Sequence, residues 1–168
     1  MTITANTAKP MRKRALILTL SLLAAAGLAQ HALAHSDGSK KEATGVVKER
    51  MDLMETQKDA MKVIGAMAKG AVPFDAAKAG AAAKEIQNTA TEIPDLCPEG
   101  TIGDPSEAKP EIWTQWDKFT KDADTLEASA KDLVAALAAD APDWKVKFKG
   151  VIDACKGCHK TFRAEEEK

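Results

Sequence analysis

Residues 142–162 read PDWKVKFKGVIDACKGCHKTF. At the helical step of 100° per residue, Trp144, Phe148, Val151, Ile152, Cys155, Cys158, His159 and Phe162 all fall within about 60° of Cys155. Pro142 suits a helix start. The stretch therefore predicts an amphipathic helix whose apolar stripe runs unbroken into Cys155-Lys156-Gly157-Cys158-His159. The two thiols and the imidazole fall at i, i+3 and i+4, so they project from one face.

C-x-x-C-H is the spacing that covalent haem attachment needs: two thiols to add across the porphyrin vinyl groups and an imidazole reaching the iron from the same side. A Cys3His zinc set completed by Cys97 lacks a second ligand-pair motif. A thioredoxin-like pair would open a helix after a strand, and no strand-like segment precedes Cys155. Two unpaired structural thiols would sit poorly in an oxidising compartment, and the N-terminus points to one. Lys9, Arg12, Lys13 and Arg14 precede an apolar run over residues 15–29, with Ala32 and Ala34 at small-residue cleavage positions. Residues 1–34 are thus expected to be a signal peptide, too short to span a membrane comfortably, and residues 35–168 the mature domain in the periplasm, with no stable membrane insertion. The formal net charge of −1 becomes −5 once these four basic side chains leave, which argues against a nucleic-acid partner.

The chain has no tyrosine, and its abundant alanine favours helices over strands. A helix is predicted over residues 40–69, stopped by Gly70 and Pro73. Its apolar arc centres on Met54 and takes in Val46, Val47, Arg50, Gln57, Met61, Ile64 and Ala68. A second, alanine-rich helix covers 75–91. Pro94, Pro98, Gly100, Gly103 and Pro105 then break regular structure. A third helix covers 110–140, with Ile112, Trp113, Trp116, Phe119, Ala123, Leu126, Ala130, Leu133 and Leu137 at three-and-four spacing. The expected architecture is all-α, an antiparallel up-down-up-down four-helix bundle with its cofactor between facing helices.

With C-K-G-C-H near the C-terminus, Arg50-Met51-Asp52-Leu53-Met54 in the first helix, Ala68-Lys69-Gly70 before Pro73-Phe74-Asp75, and Lys109-Pro110-Glu111-Ile112-Trp113 entering the third, the mature chain resembles the class II cytochromes c. This family includes cytochrome c′ and low-spin relatives. The resemblance implies one covalent haem c, bound through Cys155 and Cys158, with His159 as proximal iron ligand. In cytochrome c′ the first helix usually places an apolar residue over a five-coordinate iron, whereas the low-spin subgroup uses a methionine as sixth ligand. Met54 holds that position here, so the expectation is a low-spin His/Met electron carrier serving redox partner proteins, with a five-coordinate binder of nitric oxide or carbon monoxide as the alternative. Homodimerisation through the first helix is a further expectation from the family.

A thioether is a soft axial ligand that suits electron transfer, and it is equally an ordinary core side chain. Arg50, in the same inward arc, needs a partner if buried. A haem propionate would supply one, as would a route to the rim. Arg163 is similar to a family arginine near the proximal histidine. Trp113, Trp116 and Phe119 are expected in the core, and Cys97 as a small buried hydrophobe. No Ser/His/Asp set, P-loop or dinucleotide motif is present, so no enzyme activity is expected.

Overall fold

The computed structural model describes residues 42–103 and 105–165; the signal-peptide reading, with His31 and His35, lies outside them. Among the described residues the named elements are all α-helices: α1 Gly45–Ala68, α2 Ala76–Ala90, α3 Glu111–Thr114, α4 Trp116–Ala138 and α5 Trp144–Phe162. The four long helices form the expected bundle, α1 packing on α2, α2 on α4 and α4 on α5. Each contributes one large, fully buried side chain: Ile64, Ile86, Leu133 and Val151, all at 0 % exposure.

The local chemistry explains the boundaries. Asp75 caps α2, accepting a hydrogen bond from the Lys78 backbone N–H at 3.0 Å. Gly70, at φ +72°, ends α1 in the left-handed conformation, where its N–H reaches the Met67 carbonyl and that of Ala71 the Ala66 carbonyl. α4 finishes the same way, but with Asp140 at φ +50°. The third predicted helix is interrupted. Gln115, at φ −128° and ψ 42°, leaves the helical region and separates the single turn of α3 from α4. Trp113 is consequently half-buried and Trp116 is 39 % exposed, although a continuous helix would have put both in the core with Phe119.

The inward face of α1 also differs from the expected arc. Its buried residues are Arg50, Leu53, Gln57, Ala60, Ile64 and Met67, an alternating three-and-four stripe. Met54 and Met61 lie on the adjoining flank, half-buried. Arg50, Gln57 and Ile64 face inward as expected, but the stripe runs through Leu53, Ala60 and Met67 rather than Met54; the buried Gln57 donates to Thr89 Oγ1 at 3.1 Å. Hydrogen bonding makes that burial tolerable.

Candidate haem-attachment site

On α5 the sequence stripe is realised. Phe148, Val151 and Phe162 are buried, Cys155 and Cys158 are half-buried against the core, and His159 lies beside them, exposed along the stripe's edge. Burial pushes both thiols up, Cys158 to about 12 with help from Asp122. His159 is pushed down, first by desolvation on its inner side and then by the Arg163 charge. That favours the neutral imidazole, whose nitrogen lone pair can bind iron.

The partner surface is α1, which shares no extended packing with α5. They approach where a Cβ on Gly65 would stand 3.9 Å from the Phe148 ring. This point fixes the register of the two antiparallel helices. Eleven residues on from Phe148 is His159, and eleven back from Gly65 is Met54, each about 16 Å along its axis. Met54 and Met61 share the flank of α1 that carries Gly65. Met54 therefore lies level with His159 across the α1/α5 seam. Both helices present apolar, half-buried side chains to it, as a flat hydrophobic macrocycle requires.

Residues 91–110 bridge the two helices at this end. The Arg50 guanidinium, 6 % exposed, donates to the Leu96 carbonyl at 3.0 Å, Thr101 Oγ1 at 3.2 Å, the Thr101 carbonyl at 2.6 Å and Ser106 Oγ at 2.7 Å. Its need for acceptors is thus met by neutral loop oxygens, and a propionate would have to replace one of them. On the α5 side, Lys109 N–H donates to the Phe162 carbonyl at 2.9 Å, Ala164 N–H to the Glu107 carbonyl at 2.7 Å, and Arg163 pairs with Glu107. Nothing local in the sequence shows this loop joining the first helix to the last. Cys97 is 2 % exposed, in keeping with a core role. Burial raises its pKa, opposed by Arg50, and its carbonyl accepts from Trp113 Nε1 at 3.0 Å. Among the described residues, no group of three or more histidine, cysteine or acidic side chains forms a metal cage, so Cys97 does not join the C-terminal pair in one.

A four-helix bundle with C-x-x-C-H on its last helix, facing an apolar flank of the first, defines a covalent haem protein. The family model described as Cytochrome C' matches residues 45–163, and the chain belongs to that family. Cytochrome c-554 of Cereibacter sphaeroides is 32 % identical over 90 % of this chain and 97 % of its own length. Cytochrome c' of Pararhodospirillum photometricum is 35 % identical, over 70 % of this chain and 94 % of its own. Among solved structures, a mutant cytochrome c prime from Alcaligenes xylosoxidans in its nitric oxide complex superposes with a TM-score of 0.66 at 25 % identity, covering 72 % of this chain and 94 % of that one. The cofactor of the family is one covalently attached haem c.

These findings correct one expectation. The low-spin His/Met electron carrier is overturned by a family match to cytochrome c′ and by a cytochrome c prime neighbour that carries nitric oxide. A methionine at the Met54 position is insufficient evidence for a bond to iron, because the same side chain serves equally as packing. Among the described residues no helix is long and apolar enough to cross a membrane.

Proposed function

We propose that this chain is a five-coordinate, cytochrome c′-type haem protein that binds nitric oxide or carbon monoxide, exported to the periplasm after cleavage at Ala34. The finding that carries the reading is the nitric oxide complex of the similar cytochrome c prime, within a family match to Cytochrome C' over residues 45–163. Haem, when bound, would supply an iron able to take a diatomic ligand. Cys155 and Cys158 would tether the macrocycle, and His159 in its neutral form would hold the iron. Met54, on the α1 wall of the seam, would act as a steric gate whose flexible thioether limits access. The Arg50 hydrogen bonds hold the loop, and with it the end of the seam, at fixed width. Arg50 also remains the side chain placed to exchange a loop acceptor for a propionate.

Optical spectra of the ferric and ferrous protein test the coordination number, and Met54→Ala tests the gate. High-spin spectra are expected in both parent and variant, with carbon monoxide association at least about tenfold faster in Met54→Ala, a change of about 1.4 kcal/mol in the barrier. Met61→Ala, one heptad along the same flank, should leave the rate unchanged. A parent spectrum that is low-spin and turns high-spin only in Met54→Ala would sink the proposal. N-terminal sequencing of periplasmic protein should begin at His35.

A further inference from the structure

Formal charge is unevenly spread over this molecule. α5 carries five lysines against one aspartate, whereas residues 91–110 carry five acidic side chains and one lysine, and the expected mature chain totals −5. The lysines are also ordered. At 100° per residue, Lys145, Lys149, Lys156 and Lys160, with Arg163 beyond them, share an arc of about 60°. All five residues are exposed. This stripe runs about 27 Å along the outside of the helix. It borders the Ile152 and His159 edge, the one that faces α1. Lys149 pairs with Asp153, Arg163 with Glu107, and Lys145 stands 5.7 Å from the Trp144 ring centroid. Lys156 and Lys160 form no ion pair among the described residues.

We infer that this basic stripe is the docking surface for a one-electron carrier protein with a carboxylate-rich face, which reduces the ferric haem. One electron leaves the partner's reduced centre and one is gained at the iron, ferric becoming ferrous, with no atom transferred. A local positive stripe on a negative molecule selects for orientation: a carboxylate face is attracted to the stripe, and the acidic loop that adjoins it at Arg163 bounds that end. A strip one helix wide fits a compact acidic patch. An extended anionic membrane would have to press against the acidic loop as well. The inference depends on haem lying behind α5 and goes beyond the ligand-binding reading, since neither readout below senses the coordination number of the iron.

Net charge and local stripe predict opposite signs, which makes the test direct. Ferrous holoprotein is oxidised by hexacyanoferrate(III) in a stopped-flow instrument at rising ionic strength. The stripe predicts a rate that falls at least about threefold between 10 and 200 mM salt as its attraction is screened; a net charge of −5 predicts a rise. The triple variant Lys145→Glu, Lys156→Glu, Lys160→Glu should reverse the slope. Lys78→Glu, Lys84→Glu, Lys131→Glu, of equal charge change on α2 and α4, should retain its sign. The second readout needs no redox chemistry: poly-L-glutamate at low salt should shift backbone amide resonances of α5 selectively, and not in the α5 triple variant. A parent rate that rises with salt, equal slopes for the two triple variants, or selective binding to anionic phosphatidylglycerol vesicles with no response to poly-L-glutamate overturns the inference.

Discussion

The two ends of the α1/α5 seam are built on different principles. At one end Gly65 lets the Phe148 ring come within van der Waals range, and Phe74 stacks on Trp144 with ring centroids 4.9 Å apart. Apolar surface closes this end, and its geometry follows from side-chain volume. At the other, Arg50 and Arg163 stand level, each fifteen residues from the Gly65/Phe148 contact. Arg50 holds Ser106 and Arg163 holds Glu107, two adjacent residues of the loop. Directional polar contacts set the width here. A bundle can thus be tight where it needs a hinge point and spaced where a planar group must enter, with no change in helix length.

The largest effect that separates the two ends is expected for Phe148→Ala. It removes a buried ring and should cost about 3–5 kcal/mol in denaturant unfolding while leaving the haem spectrum as in the parent. Arg50→Met keeps the volume but strands buried acceptors at Leu96, Thr101 and Ser106, a cost of roughly 2–4 kcal/mol. Amide exchange should then accelerate over residues 96–109 and the haem bands shift. If the two variants lose stability but neither or both alter the spectrum, the ends do not differ in the way described. Gly65→Ala should raise stability by about 0.5–1 kcal/mol in the same unfolding measurement, because the added methyl finds ordinary contact distance and the helix gains propensity. Glu107→Gln should be the mildest, below about 1 kcal/mol, since its ion pair with Arg163 is 43 % exposed on each side; carbon monoxide affinity reports any effect transmitted to His159.

The difference between the ends also marks what sequence could disclose. α5 was legible almost residue by residue, because its stripe is made of apolar types at regular spacing and ends in a motif with its own chemistry. The role of Met54 was not legible: a thioether that bonds and one that packs leave the same pattern. Arg50 and Gln57 fall on the inward arc, but the partners that make their burial tolerable lie 32 to 56 residues away, and the stripe runs through Leu53, Ala60 and Met67 rather than Met54. The break at Gln115 was hidden, since Trp113, Trp116 and Phe119 keep helical spacing across it. The bridging loop was invisible for the same reason as Arg50: its partners are distant in sequence, and several of the contacts use backbone groups, which every residue possesses.

That distance has a kinetic consequence. The packing of α1 on α2 and of α4 on α5 joins helices adjacent or nearly so in the chain, and can form early. The Arg50 hydrogen bonds span 46 to 56 residues and require the chain reversal between α2 and α3 to be complete, so loop-closure entropy places them late on the folding route. Interactions absent from the transition state slow unfolding without speeding folding. Arg50 thus acts as a clasp fastened last, lengthening the lifetime of the folded protein while leaving the time taken to reach it almost unchanged.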